Sequence, residues 1–531
     1  MELSRRDLLA AFLGAPFATA CRNERVVPLP PGEIVGASHA SGHRLRERPR
    51  PTPLQWESRE VVIVGGGVAG LSAAWRLAHA GVADFTLLEL EPDAGGTSRS
   101  GKSAVSAFPW GAHYIPSPSQ ENRALVRLLQ EMGVMNGNEV GEEFLCRDPQ
   151  ERIFFRGRWY EGLYLFAGAS AEDLRQLRAF EAEVTKWVAW KDGRGRRAFT
   201  IPIAYGSDDV EVTALDRMSM GEWMTQLGFT SSRLRWLIDY ACRDDYGARP
   251  EQISAWAGLF YFASRIDRPG QESRSFITWP EGNGRLVGHL AQSARGRIAT
   301  GMLVCEIRPG VDGVEVVALR GDEPIGIRAR RVIFAAPQFV AGHVIAPWPE
   351  SRSSHLDAFA YGSWMVANLT LRDRPSERGF PLAWDNVLYE SPSLGYVVAT
   401  HQSGIERGRT IFTYYYPLSN GDTHAGRQRL LATGRDAWAE VALSDLSRAH
   451  PEIRSLTERL DVMRWGHAMI RPQPGFVWSE ARRIAAQPHR GIHFAHSDLS
   501  GVSLFEEALY QGVRAAEEVL ASIERPAPTF L

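Results

Sequence analysis

The sharpest change of hydrophobic pattern lies between residues 61 and 89. Val61-Val62-Ile63-Val64 is an unbroken β-branched run, the form of a strand buried on both faces. It runs into Gly65-Gly66-Gly67-Val68-Ala69-Gly70, and apolar residues then recur at helical spacing (Leu71, Ala74, Leu77, Ala78), with Gly81 where a helix stop is expected. A second strand, Phe85-Thr86-Leu87-Leu88, ends in Glu89. Strand-like runs return at Ile298-Ala299-Thr300, Val304 to Ile307, Val314 to Leu319 and Arg331 to Pro337. Near the end, Ile492-His493-Phe494 precedes an apolar-periodic helix to about Ile523, for which Ser503 and Glu506 have the spacing of a capping box. Residues 22 to about 57 are rich in Pro and Arg and lack periodicity, so they read as a linker or a surface strap.

Strand, glycine turn, helix, strand and acid in this register predict a dinucleotide-binding unit. Gly65 makes the tight turn, Gly67 lets backbone approach a pyrophosphate, and Gly70 permits close packing of helix on strand. The helix start at Val68 and Ala69 attracts the diphosphate, and Glu89 is placed to accept from ribose hydroxyls.

Beyond Glu89 and Leu90, the chain reads Gly95-Gly96-Thr97-Ser98-Arg99 and then Pro109-Trp110-Gly111-Ala112-His113-Tyr114-Ile115. These segments resemble the flavin amine oxidase superfamily. Thr97 stands where that family usually has arginine, with Arg99 as a substitute two residues on. The resemblance implies FAD as cofactor, the 109–115 segment beside the flavin ring, and backbone contact of Val304 with adenine. It also implies closure of the site by Asp498, Val502 and Ser503, although His496 replaces a usual glycine and Asp498 is reached with one residue inserted. The expected fold is α/β: a Rossmann-type FAD domain assembled from residues 58–115, 280–340 and 488–524. An α+β substrate domain with a mixed sheet is expected from 116–279 and 338–487.

With 531 residues, 44% of them apolar, the chain is long enough for two or three packed domains, and a net charge of -2 offers no field to recruit nucleic acid. Cys21, Cys146, Cys242 and Cys305 are widely spaced, which argues against a dithiol centre, and no His/Asp/Glu cluster argues for a metal. Gly282-Asn283-Gly284 follows Pro280-Glu281 instead of a strand, so a second nucleotide fingerprint is not expected. Residues 1–20 (Ser4-Arg5-Arg6-Asp7-Leu8-Leu9, an apolar stretch, then Ala18-Thr19-Ala20) resemble a twin-arginine signal. Periplasmic or extracellular placement is the expectation, with no transmembrane segment in the mature chain. Cys21, directly after the small residues, leaves a lipid anchor as an open alternative.

In amine oxidases of the superfamily a lysine commonly contacts flavin N5 through a water. The matching stretch, Tyr361 to Asn368, puts Val366 there, and no lysine follows Lys191. Site candidates are therefore His113, as a base near pH 7, with Trp465 and Tyr415 as aromatic walls and His467, Tyr414 and Tyr416 behind them. Asp208-Asp209 and Glu142-Glu143 are candidates to attract a cation. The leading expectation is an exported FAD-dependent oxidoreductase taking a hydride from a small substrate, an amine in the first instance, and passing electrons to oxygen or another acceptor. A C–C desaturase or isomerase acting on a lipophilic substrate, and a flavin-binding partner protein without turnover, are the alternatives.

Overall fold

The computed structural model of the chain describes residues 28–353 and 355–531. The leader read at residues 1–20, and Cys21, lie outside them.

Val61, Val62 and Ile63 have no exposed surface, as a run without polar alternation requires. Their strand is longer than the apolar run, Trp56–Val64, and pairs in parallel with Phe85–Leu88 on one side and Glu323–Phe334 on the other. Ile298–Ala299 extends the first side and Ile492–Phe494 the second, both in parallel. Met302–Pro309 and Val314–Arg320 add an antiparallel meander on the first half of Glu323–Phe334, completing seven strands. Helices Val68–His79 and Phe505–Ser522 pack together on this sheet, closely enough that a Cβ on Gly512 would lie 2.2 Å from the Ala69 carbonyl oxygen.

A second seven-stranded sheet runs in the order Thr457–Ile470, Tyr361–Leu371, Thr410–Pro417, Gly395–Val398, Asp385–Leu388, Glu151–Phe155, Arg158–Glu161. It is antiparallel except where Asp385–Leu388 meets Glu151–Phe155, so the sheet is mixed, as expected. The two-residue period sorts the tyrosine run: Tyr414 and Tyr416 pack with Trp438 behind the sheet, while Tyr415 sits on the other face with Val366 and Trp465. Helices Ala171–Ala189, Ser232–Tyr246 and Ala255–Ala263, built around Phe180, Trp223 and Trp256, form a layer of their own.

Two expected boundaries fall inside packed layers. Leu125, Leu128 and Leu129 of helix Arg123–Glu131 share a core with Leu71 and Leu77, and Ala341 and Val344 of helix Gln338–Val344 share one with Val62 and Phe334. Apolar contact with the first sheet holds these segments, although sequence order assigned them to the substrate domain. The Pro/Arg-rich stretch is a strap, not a free linker. Pro31 and Glu33 carbonyls accept from Leu460 and Val462 N–H, and Val35 N–H donates to Val462. Ser38 then hydrogen-bonds Glu91 at 2.7 and 3.0 Å, and Leu45 is buried against the first sheet.

Arg152 joins the two strands of the parallel pair from behind. Fully buried, it donates to Asn386 at 2.5 Å, to the Phe380 carbonyl at 2.9 Å and to Tyr396 at 3.2 Å, and it pairs with Glu377. Arg152→Ala strands these acceptors, so we expect a loss of about 3 kcal/mol in urea unfolding. Unchanged stability would remove Arg152 from the account of this sheet.

Candidate functional site

At the glycine turn, backbone touches backbone. Gly65 sits at φ 105°, and a Cβ on Gly70 would lie 1.9 Å from the Gly65 carbonyl oxygen, whereas one on Gly67 would meet nothing within 4 Å. The open side at Gly67 faces the start of helix Val68–His79, where the first-turn N–H groups of Val68, Ala69 and Gly70 have no acceptor within the helix. Such a cradle suits a pyrophosphate. Glu89 braces the turn, accepting from Gly66 N–H at 2.6 Å and Glu91 N–H at 2.8 Å, and burial pushes its carboxyl above the usual range. Leu90 is half-buried beside the strap at Gly42.

The second glycine pair answers the first. Gly95 and Gly96 adopt φ 127° and 57°, and Gly95 N–H donates to the Gly66 carbonyl at 2.7 Å. Ala112 N–H donates to Thr97 at 3.0 Å, and Gly111 is obligatory because a Cβ there would lie 2.2 Å from that same Thr97 oxygen. Arg99 is buried with its guanidinium 5.6 Å from the Trp465 ring centre, 3.7 Å from Glu91, and with Nη2 unpartnered. Val304 is buried in the meander beside a bulge at Cys305.

At the closing end, Asp498 is buried and accepts from Tyr361 Oη at 2.6 Å and Gln338 N–H at 3.0 Å, with His496 Nδ1 at 2.9 Å. Burial opposes its ionisation, but His496 and these donors hold it below the ordinary range. Ser503 lines the cavity described below, while Val502 turns away into the helical layer. The expected capping box does not form. Helix Phe505–Ser522 starts after Leu504 with no side-chain cap, the Ser503 hydroxyl accepts from Ile470 N–H at 2.9 Å, and Glu506 is buried. The tertiary bond to the neighbouring strand wins over the local one.

Between the two sheets lies a cavity whose lining includes Thr97, Gly111, Ala112 and His113 on one side and Trp364, Val366, Tyr415 and Trp465 on the other. Tyr415 Oη donates to the Gly111 carbonyl at 2.8 Å and Trp465 Nε1 to the Trp110 carbonyl at 2.6 Å, so the two aromatic candidates are both wall and anchor. His113 packs 5.0 Å from Tyr415 and 5.3 Å from Trp384, ring centre to ring centre. Burial pushes it down to about 4, so it stays neutral at pH 7 and is not the base titrating near neutrality that its residue type suggested. His467 stacks on Phe339 at 4.0 Å, and burial pushes it down to about 3.

The acids predicted to attract a cation lie elsewhere. Asp208 pairs with Arg196, Asp209 caps the helix Val210–Ala214, and Glu142 and Glu143 are exposed in a short turn. The cavity instead carries Glu151, Asp244, Asp245, Asp385 and Glu506, which come from four separate elements, with Arg265 as the one cation lining it among the described residues. Sequence reasoning took Glu506 for a helix cap and missed the other five, since no spacing links them. The one available signal was the acid alternating with apolar positions in the strands that begin at Glu151 and Asp385. Asn283, from the discarded Gly-Asn-Gly stretch, also lines the cavity, and it supports the 112–114 segment by donating to the carbonyls of Ala112 and Tyr114. Among the described residues there is no His/Cys/Asp/Glu group of metal-site form, Cys146, Cys242 and Cys305 are free and buried, and no helix is long and apolar enough to cross a membrane.

A glycine turn at a Rossmann helix start, tied through Gly95 to the segment whose Thr97 lines an aromatic cavity between two sheets, defines a two-domain dinucleotide-binding architecture. The chain matches the family described as flavin containing amine oxidoreductase over residues 68–520. It belongs to that family, and its cofactor is FAD. It is 27% identical over 289 residues to a putative flavin-containing monoamine oxidase of Mycobacterium tuberculosis, covering 52% of this chain and 57% of that protein. A shorter match, 38% over 104 residues, covers 19% of this chain and 19% of the Bos taurus peroxisomal N(1)-acetyl-spermine/spermidine oxidase. In both cases the alignment spans less than two thirds of the relative. Among solved structures, a putrescine oxidase triple mutant superposes with TM-score 0.66 at 16% identity, covering 88% of this chain and all of that one. Cyclohexylamine oxidase from Brevibacterium oxydans gives 0.63 at 16%, covering 88% and 99%.

Gly70→Ala pushes the helix start off the strand. We expect a folded protein that purifies with at least about tenfold less flavin absorbance per chain, since overpacking of this kind costs ~1–3 kcal/mol at the cradle; full flavin loading would contradict the cradle. For His113, a ¹H–¹⁵N titration should show a neutral ring from pH 8 down to pH 5.5, and a midpoint near 6.5 would refute the buried, neutral assignment.

Proposed function

We propose that this protein is an FAD-dependent amine oxidoreductase that acts on a small cationic substrate and works outside the cytoplasm. The observation that carries the reading is the composition of the cavity: aromatic and apolar where it adjoins the cofactor groove, acidic at its other end. FAD, held at Gly65, Gly67 and Gly70 and beside Thr97 and Gly111 to His113, would supply the hydride acceptor for the carbon next to the amine nitrogen, with oxygen or another acceptor as the final oxidant. The chain's own residues bind, orient and keep water away. Tyr415 and Trp465 pin the 110–113 backbone, and Trp364, Val366 and Trp384 exclude water from the same space. Val366 brings no ammonium and no hydrogen bond to the site, so no protein lysine positions a water there. This apolar wall is the one observation that favours the alternative, a C–C dehydrogenase for a lipophilic substrate, but the carboxylates beyond it would face such a substrate unpaired. Export rests on the paired arginines, the apolar stretch and the small residues before Cys21.

Anaerobic addition of primary, secondary and polyamines to the holoenzyme, with the flavin band followed, tests the reaction. Bleaching by an amine class is expected, and bleaching only by lipophilic alcohols, ketones or steroids would replace the reading. Desolvation pushes Glu151 and Asp244 up to about 7, so both are largely protonated at pH 5.5 and ionised at pH 8. Amine affinity should therefore rise across that interval. Because raised carboxyl values favour the folded state only while protonated, the substrate-free protein should lose thermal stability as pH climbs from the ordinary carboxylate value through 7. A flat stability profile would mean these acids are solvated.

A further inference from the structure

The cavity floor is a single face of the second sheet, and its register sets out a path. Val366 lies opposite Tyr415, Tyr415 opposite Gly395, Val397 two residues along opposite Asp385, and Asp385 opposite Glu151. Side chains two apart in a strand share a face, so Val366, Tyr415, Val397, Asp385 and Glu151 all look into the cavity, and all five line it. At about 4.8 Å per strand, Asp385 stands three strands (~14 Å) and Glu151 four strands (~19 Å) from Val366. Val366 marks the end nearest the glycine turns, since it shares its sheet face with Tyr415 and Trp465, whose side chains reach the Gly111 and Trp110 carbonyls.

The far end is short of positive charge. Arg265 spends one nitrogen on both oxygens of Asp245, at 3.1 and 2.9 Å. Asp385 receives the Tyr240 hydroxyl at 3.0 Å, and among the described residues Glu151 and Asp244 receive no side-chain hydrogen bond. Independently, Glu506 lines the same cavity at 3% exposure with one carboxylate oxygen unpartnered. Carboxylates sunk in a protein are stable when a counter-ion joins them, and among the described residues Arg265 is the one guanidinium lining the cavity with the five carboxylates. Burial pushes Glu151, Asp244 and Glu506 up to about 7, in keeping with groups awaiting a cation.

We propose that Asp385 and Glu151, with Asp244 above them, form a distal cation site that selects extended oligoamines, one nitrogen oxidised at the Val366 end and another held at the acid end. Allowing for side-chain reach, the two nitrogens are separated by roughly 10–15 Å, or roughly eight to twelve bonds of an extended chain. This excludes a short diamine from bridging both ends and leaves a simple alkylamine with no partner for the acids. The inference rests on the amine reading above, and binding and reduction are measured separately to tell the two apart.

The test uses FAD-loaded protein, n-octylamine, and α,ω-diamines from four to twelve carbons. Anaerobic flavin reduction is the first readout, and thermal shift of the holoenzyme is the second. Half-saturation is expected to fall at least about tenfold on going from the four-carbon diamine to those of eight to ten carbons, with octylamine as weak as the short diamine. Asp385→Asn and Glu151→Gln should erase that preference, bringing half-saturation for the long diamines to the value for octylamine measured on the same variant, with the flavin spectrum still that of bound cofactor. Equal half-saturation for octylamine and the long diamines, a comparison that needs no variant, would overturn the distal site while keeping the oxidase. Long diamines that raise the melting temperature without reducing flavin would overturn the oxidase reading while keeping the site. A length preference that survives both substitutions would overturn the assignment of these residues.

Discussion

A relay of hydrogen bonds to backbone carbonyls ties the two sheets together across the cofactor groove. Gly66 accepts from Gly95, Thr97 from Ala112, Gly111 from Tyr415, Trp110 from Trp465 and Pro109 from Asn368. Each step needs a residue that lets main chain come close or a side chain that reaches it. Gly111 provides the first against Thr97, and the indole and phenol provide the second from the far sheet. The cavity exists because this relay holds the 109–113 segment between the sheets, and its aromatic walls are the anchors themselves. Function and stability thus share residues, and Tyr415 and Trp465 have two reasons to be aromatic with a polar tip.

Electrostatics divide the cavity. Beside the 111–113 segment, burial keeps His113 neutral and the walls are Trp364, Val366, Tyr415 and Trp465; farther along the sheet Arg265 lies among carboxylates that desolvation drives toward protonation. A protein gains little stability from such a cluster, since desolvation exceeds what one guanidinium returns. The arrangement makes physical sense as a binding device, in which a cation from solution completes the charge balance. The strap adds a third link, because Ser38 on Glu91 and Gly36 beside Arg99 place residues from the start of the described chain against the loop that follows Glu89.

The first sheet was legible because its signals are local. The glycine spacing, the β-branched run and the acid after Leu88 are contiguous, and the structure places Gly65, Gly67, Gly70, Gly95 and Gly96 around one turn. Tyr415 was legible as a site residue only as one of three adjacent tyrosines, and it took strand pairing to turn it toward the cavity and its neighbours toward Trp438. Ser503 and Glu506 had the spacing of a cap, yet one bonds the neighbouring strand and the other lines a cavity. Helices Arg123–Glu131 and Gln338–Val344 joined the first sheet's core despite lying in the insertions, because apolar faces pack against whichever surface is near in space.

By itself, the sequence determined the nucleotide-binding unit, the family and the absence of a lysine at Val366, since each is written in neighbouring residues whose chemistry acts over a few ångströms. Only the tertiary structure decided the acid end of the cavity. Glu151, Asp244 and Asp385 are separated by more than ninety residues at each step, and what unites them is strand register and helix packing. Their shifted ionisation is likewise a property of the enclosure, because desolvation depends on what surrounds a carboxylate in space and leaves no mark in the residues beside it in the chain.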